Sequence, residues 1–451
     1  MMFSLRTILA KGIYWGLYAR GSRGFAAKVH REFRARQLAQ WEPAETVRKR
    51  QLDKLRRLLS HVVKAVPYFR QMHAKGLCPD WLASLEEMSS IPPLTKDFIR
   101  AEPRSMIDET LPPGALLPRY TGGSSGEPLQ FLVSPSARIH ASASEIWGDS
   151  LAGYRPGDPV AVLWGAASDM RKEVRWKGRL HHFLVNKETL ITNRMTEERM
   201  AGFVVALRRF RPRILLGYVS SLVEFAHYLK SVEPAGLGVK VRSIISAAEP
   251  LSDAQRSLLE TVYQCPVFNR YGAREGGLMA MECDRHQGLH INCESFWIDL
   301  EPCIELGSGV FRLLITNLDE FGMPFIRYEQ GDYTAAGLST CSCGRGYPTL
   351  ATVTGRTLSV LRLPDGTRVV PAAITLILGA APVRSYQVVQ EKDYSLQVEL
   401  VPTPEYSNSA EQQILAGLRR FVGDLPIKIR LSEEIMRTRS GKLLPIVSHV
   451  Q

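Results

Sequence analysis

Between residues 35 and 75 the apolar positions Leu52, Leu55, Leu58, Leu59, Val62 and Val63 recur three and four apart, which predicts a helix with one buried face. Pro67 ends that pattern. Two consecutive prolines, Pro92 and Pro93, then force an extended turn between Ile91 and Lys96, ahead of another short helix. Further on, 159–164, 213–217 and 241–246 are short, nearly uninterrupted apolar runs, the pattern of strands covered on both faces. The last two lead into helical patterns over 220–231 and 253–263, so this region predicts α/β units. From 291 to 333 the segments shorten and become β-like, with 310–316 as the clearest. After Gly355 and Arg356 the chain is β-rich, then helical over 411–422, then extended over 428–432, and it ends in a basic tail.

The expected organisation is therefore an N-terminal segment over 1–35, a large α/β domain with mixed sheets and helices over 36–355, and a small mobile α+β domain over 356–451. A length of 451 residues demands more than one core, and 45% hydrophobic with 23% charged residues is the composition of a folded globular protein. No run of about 18 uncharged apolar residues is present to span a bilayer. Arg6, Lys11, Arg20, Arg23 and Lys28 interrupt the first thirty residues too often for a secretory leader. Seven cysteines, an odd number, argue against a disulfide framework, so a cytoplasmic protein is expected.

The net charge of +12 gathers between Arg6 and Arg57, interleaved with Ile8, Leu9, Ile13, Tyr14, Trp15, Leu17 and Tyr18. Two readings stand: a solvated helix packed on the main body, or a peripheral contact with an anionic membrane or another protein. No recognition module accompanies the charge, so nucleic acid is not an expected partner.

A loop of small and hydroxylated residues, Thr121, Gly122, Gly123, Ser124, Ser125 and Gly126, follows Tyr120 and precedes the apolar segment 129–133. Without bulky side chains, its backbone N–H groups and hydroxyls can converge on phosphate oxygens. It lacks the Lys-Ser/Thr ending of a Walker loop, and by itself such a segment reads equally as a surface turn. Further motifs follow in order: Ser246 to Pro250, with Ala248 and Glu249; Asn269 to Gly277, with Tyr271, Gly272 and Glu275; Ile326 to Asp332; and Arg437 to Lys442. Upstream lie Val66 to Arg70 and Pro92 to Lys96. This ordered set, spread over nearly the whole chain, resembles the adenylate-forming superfamily, and within it the phenylacetate-CoA ligase-like branch.

The resemblance implies an AMP-forming acid ligase, in which ATP and Mg²⁺ activate a carboxylic acid, aromatic if the branch name is followed, to an acyl-adenylate with release of pyrophosphate. It implies that 121–126 hold the β- and γ-phosphates, that Tyr271 and its neighbour Gly272 contact adenine, and that Ala248 and Glu249 line the base pocket. Glu275 is the implied Mg²⁺ ligand, Asp332 the ribose acceptor, Arg356 a hinge residue contacting ribose or phosphate, and Lys442 the cation that bridges carboxylate and α-phosphate. Trp164, Tyr218 and Ser246 are candidates for the acid pocket from their neighbouring motifs. CoA is the implied acceptor.

Two departures bear on that acceptor. Relatives carry one or two aspartates soon after the Gly-Arg pair, whereas Thr357, Leu358 and Ser359 follow Arg356 here. The segment 363–368 also lacks the glycine-rich signature that accompanies CoA. An amine, hydroxyl or carrier-protein thiol as acceptor stays open, as does a non-catalytic nucleotide-binding protein. A threonine or serine common before the acidic residue is replaced by Arg274, which weakens the Mg²⁺ assignment. Finally, Cys283, His290, Cys341 and Cys343 supply four ligands suited to structural Zn²⁺, with His286 as the rival to His290 because of its tighter spacing to Cys283.

Overall fold

A computed structural model describes residues 7–9, 11–12, 24–121, 129–165, 185–233, 236–306, 309–351, 353–356, 361–369, 371–437 and 443–450. The stretch expected as one helix is three: α1 (Phe25–Ala39), α2 (Ala44–Ala65) and α3 (Pro67–Ala74). Pro43, at ψ 144°, separates the first two, and Pro67 both ends α2 and opens α3. At the first helical position its missing N–H costs nothing. The apolar face of α2 buries Leu55, Leu58, Leu59, Val62 and Val63 as the spacing required. In α1, Val29 and Phe33 point into the core while Lys28, Arg31 and Arg34 stay exposed. This part of the basic segment is thus a helix packed on the body. Residues 1–6, 10 and 13–23 lie outside the described residues.

The next elements are α4 (Lys96–Ala101), the hairpin β1 (Leu117–Tyr120) and β2 (Gln130–Val133), and α5 (Pro135–Leu151). There follow β3 (Val160–Trp164), β4 (Lys187–Ile191), α6 (Glu197–Phe210), β5 (Ile214–Tyr218), α7 (Val219–Val232), β6 (Ser243–Ala247), α8 (Asp253–Tyr263), β7 (Val267–Ala273), β8 (Gly277–Glu282) and β9 (Leu289–Ile291). With β13 (Thr349–Leu350) the strands form an eight-stranded sheet in the order β13-β9-β8-β7-β6-β5-β3-β4. From β4 to β7 the pairing is parallel; from β7 to β13 it is antiparallel. Strands β5 and β6 are buried along their whole length, because α1 and α5 cover one face of the sheet and α6, α7 and α8 the other. Hydroxyl caps start the helices: Ser134 at α5, Thr196 at α6, and at α8 a reciprocal pair of Ser252 and Gln255.

A second, antiparallel sheet is built from β10 (Phe296–Pro302), β11 (Phe311–Asn317), β12 (Tyr328–Thr334) and β14 (Val353–Arg356). The hairpin β15 (Leu361–Arg362) and β16 (Arg368–Val369) leads into α9 (Pro371–Ala380), β17 (Val383–Gln390), β18 (Leu396–Pro402), α10 (Asn408–Val422), β19 (Ile427–Leu431) and β20 (Ile446–Ser448). The last four strands pair as β19-β18-β17-β20 and close a separate core around Ile374, Leu378, Val388, Leu400 and Leu418. None of the described helices is long and apolar enough to cross a membrane.

A buried charge cluster joins the first helices to the sheets. The Arg36 guanidinium donates to Ser295 Oγ (2.8 Å) and lies 3.7 Å from Asp319 Oδ2, while Asp319 accepts from Ser295 at 2.7 Å and pairs with Lys54 at 3.3 Å. Burial raises the Asp319 carboxyl, but Lys54, His140 and Arg36 around it win, and its pKa ends below the usual carboxylate range.

Helix α5 lies directly on β8, and Gly148 makes the approach possible: a Cβ there would fall 2.0 Å from Leu278 Cδ2, inside a fully buried contact. Gly148→Val is expected to lower stability by about 1–3 kcal/mol, read as an earlier urea midpoint with unchanged m-value; an unmoved midpoint would contradict this packing.

Candidate active site and metal centre

Parallel pairing brings the ends of β5, β6 and β7 to one end of the large sheet, and Tyr218, Ala248, Glu249, Tyr271 and Glu275 stand there. Beyond β6, Ala248 adopts a left-handed conformation, φ 67°, a strain of order 1 kcal/mol for a residue with a Cβ. That turn swings Glu249 back toward the first turn of α7. Its carboxylate accepts from the Ser220 N–H (2.6 Å) and the Ser220 hydroxyl (3.0 Å), a placement favoured by the positive end of the helix. A third bond comes from the Leu443 N–H of the C-terminal tail, at 3.2 Å. Through these bonds the Glu249 carboxylate joins α7 to the tail.

The second sheet contributes Asp332, on β12. The Tyr271 hydroxyl lies 2.9 Å from Asp332 Oδ2 and 3.3 Å from Gln330 Oε1, so β7 of one sheet is tied to β12 of the other. Arg356 is the residue paired with Asp332 across β12 and β14, at an irregular step in the ladder. Gln330 is held in turn by Lys96, whose ammonium donates to its carbonyl at 3.1 Å. Glu275 sits in the turn between β7 and β8, its Oε1 accepting from the Tyr328 hydroxyl at 3.3 Å. Its neighbour Arg274 reaches the Tyr120 carbonyl at 3.4 Å, just where the glycine loop begins.

At the root of that loop Thr121 and Leu129 face each other: Thr121 N–H donates to the Leu129 carbonyl (2.9 Å), and Thr121 Oγ1 accepts from the Leu129 N–H (2.8 Å). A hydroxyl that accepts still has its own proton to donate. Gly122, Gly123, Ser124, Ser125 and Gly126 lie outside the described residues, as does Lys442. Gly272, in β7, leaves no room for a side chain, since a Cβ would fall 2.5 Å from the Gly277 carbonyl oxygen. Of the acid-pocket candidates, Trp164 covers the buried Tyr218 ring at 4.1 Å, and Ser246 is buried in the sheet with its hydroxyl 3.4 Å from the Phe268 carbonyl.

The two domains meet along α7. A cavity of about 920 Å³ lies there, bounded by Ser220, Glu249 and Gln255 on one side and Thr375, Arg384 and Tyr386 on the other. Next to it, Arg437 of the tail is buried: Nη1 donates to Ser220 Oγ (2.9 Å) and Ser221 Oγ (3.3 Å), and Nη2 to Glu224 Oε2 (2.5 Å). Burial raises the Glu224 pKa despite that guanidinium. Spacing along the chain gave no sign of Ser220, Ser221 or Glu224, which read simply as helix.

At the other end of β8 from Glu275, four ligand atoms converge. One from each of Cys283, His290, Cys341 and Cys343 lies within 4.8 Å of all the others. The Cys283 and Cys341 sulfurs are 3.7 Å apart, and Cys343 Sγ is 3.3 Å from His290 Nε2. Two sulfurs about 2.3 Å from one tetrahedral zinc would be separated by about 3.8 Å, so the donor set fits that ion. His290 Nδ1 lies 3.0 Å from the Tyr347 carbonyl, which fixes the proton on Nδ1 and turns Nε2 toward the sulfurs. His286 is elsewhere, beside Glu282 and Arg256 at 3.3 Å each.

Residues 361–449 match the family model described as the CapK C-terminal domain. Over 388 residues the chain is 26% identical to the phenylacetate-coenzyme A ligase of Thermus thermophilus, covering 78% of this chain and 80% of that one. With the phenylacetate-coenzyme A ligase of Aromatoleum evansii the identity is 24% over 443 residues, 89% of this chain and 94% of the other. Among solved structures, 2-hydroxyisobutyryl-CoA ligase in its postadenylation state superimposes with a TM-score of 0.73 at 18% identity, over 91% of each chain. The fold is that of these ligases, a large mixed α/β domain with a small C-terminal one, as expected.

Elemental analysis of the purified protein is expected to find about one zinc per chain, lost in Cys341→Ser together with part of the thermal stability. Metal-free protein of unchanged melting temperature would contradict the fit.

Proposed function

We propose that this chain, which belongs to the adenylate-forming superfamily in its phenylacetate-CoA ligase-like branch, is an AMP-forming acid ligase that activates a carboxylic acid with ATP. The observation that carries the reading is the meeting of Tyr271, Asp332 and Arg356 where two sheets touch, with Glu275 one turn away and the C-terminal tail tied to Glu249. In this reading the ring of Tyr271 supports adenine, and the Asp332 carboxylate, oriented by the phenol, accepts from the ribose hydroxyls. Glu275 is a hard oxygen donor of the kind Mg²⁺ needs, and its neighbour Arg274 reaches the Tyr120 carbonyl, one residue before Thr121; the pyrophosphate is assigned to 121–126. A carboxylate oxygen of the acid attacks the α-phosphorus, the bond to pyrophosphate breaks, and the acyl-adenylate forms. Negative charge grows at that phosphorus, and Lys442, adjacent in the chain to Leu443, is the cation assigned to it.

For the second half-reaction the proposed acceptor is the CoA thiol, as the names of the relatives suggest. The absence of an acidic residue after Arg356 favours testing a non-CoA acceptor beside it. The Cys283, His290, Cys341 and Cys343 cluster, with four protein ligands and no open position, is assigned a structural zinc that holds strand ends and activates no water.

Two measurements check the reading. Acid-dependent exchange of pyrophosphate into ATP, over a panel of aliphatic, hydroxylated and aromatic acids, is expected with at least one acid, and Lys442→Ala should slow it roughly 10²–10³-fold while ATP still binds. Exchange with no acid at all, or an unaffected Lys442→Ala variant, sinks the proposal. Product mass with and without CoA then identifies the acceptor: an acyl-AMP that never becomes acyl-CoA rules out the thioester.

A further inference from the structure

We infer that Arg437 is a positioning residue for the lysine-bearing tail, working through a contact with Ser220, Ser221 and Glu224 that belongs to the adenylating arrangement of the two domains. The inference rests on the proposed acid activation, but its structural part can be measured without it.

The tail is anchored on both sides of residues 438–442. Before them, the Arg437 guanidinium is almost wholly buried and reaches Ser220 Oγ, Ser221 Oγ and Glu224 Oε2 at 2.9, 3.3 and 2.5 Å. After them, the Leu443 N–H donates to Glu249 Oε1 at 3.2 Å, and the same oxygen accepts from the Ser220 hydroxyl at 3.0 Å. The two anchors therefore share Ser220, which stands in the first turn of α7 and touches both Arg437 and Glu249. Five residues with Lys442 as the last run between these points. Fixing both flanks removes most of the conformational freedom that a lysine on a basic tail would otherwise have to lose on reaching a phosphate.

Charge makes the first anchor selective. A guanidinium taken out of water is stable only against a matched acceptor, and Glu224 is itself largely buried, its pKa raised by burial and opposed mainly by Arg437. Breaking the pair leaves an uncompensated charge on one side. The contact thus forms when the tail is seated and is disfavoured in partly seated arrangements, which is the behaviour of a latch. In whole-chain superposition, 2-hydroxyisobutyryl-CoA ligase fits with a TM-score of 0.73 in its postadenylation state and 0.58 in its thioesterification state. The higher value is that of the postadenylation state, the domain setting the inference takes for this chain.

The test uses the full-length protein with Arg437→Ala, Arg437→Lys, Glu224→Gln and, as a control on the exposed face of β19, Arg430→Ala. Arg437→Ala is expected to lower the kcat of pyrophosphate exchange 10- to 100-fold with KM for ATP within about threefold. The conversion of preformed acyl-adenylate by the acceptor should be unchanged or faster. Arg437→Lys should recover part of the loss, Glu224→Gln should show a smaller one, and Arg430→Ala none. A loss shared equally by both half-reactions, or an unchanged kcat, overturns the inference. Independently of any activity, hydrogen exchange over 443–450 should rise in Arg437→Ala and not in Arg430→Ala; equal protection in both overturns the anchor. If the wild type shows no exchange with any acid, the proposed function fails, and the hydrogen-exchange result alone decides the anchor.

Discussion

The parallel pairing of β3, β5, β6 and β7 is the constraint on which the site depends. Parallel strands all finish at the same edge, so the residues after β5, β6 and β7 must meet there whatever their distance in sequence. The reversal at β8 then returns the chain away from that edge, so a turn carrying Glu275 closes the row. Antiparallel order throughout would have scattered Ser220, Glu249 and Glu275 over both ends of the sheet. The second sheet adds Asp332 and Arg356, and two phenols, those of Tyr271 and Tyr328, tie it to the first through Asp332 and Glu275. The site is thus a property of one sheet's strand ends, with the second sheet tied on through β12.

How legible this was in the sequence varied with the range of the interaction. Apolar runs announced β3, β5 and β6 because strands covered on both faces cannot tolerate polar interruptions. Glu249, Tyr271, Glu275 and Asp332 could be singled out because each lies within a short motif, and only the order of those motifs carries the resemblance. The single helix expected over 35–75 became three, since periodicity is blind to breaks that preserve the phase of the apolar face, and only Pro43 marks the first one. The partners of Glu249 were hidden for another reason: they are a helix start and a tail nearly 200 positions away, and no local pattern records such a meeting. Choosing between His286 and His290 needed the Tyr347 carbonyl, which orients one imidazole and not the other.

The buried charges follow the same division of labour. Arg36, Lys54 and Asp319 come from α1, α2 and the turn after β11, and each is hidden only because the others neutralise it. Such a cluster contributes less to net stability than an apolar core of equal volume, but it rejects any arrangement in which one of the three elements is displaced. The N-terminal helices are therefore held in a specific register on the sheets, and the hydrophobic faces of α1 and α2 alone would not enforce it.

The cysteine–histidine cluster sits where the large sheet would otherwise finish in a weak margin. Strand β13 has two residues and β9 three, so few ladder bonds hold them, and the cluster fastens the loop before β13 to the ends of β8 and β9. Strip those ligands of whatever they bind, or oxidise the thiols, and the backbone N–H and C=O groups of β9 become an open edge, the kind of surface on which a second copy can pair. The vulnerability of this end of the molecule is therefore colloidal: damage there would cost solubility before it touched the chemistry at the far end of β8.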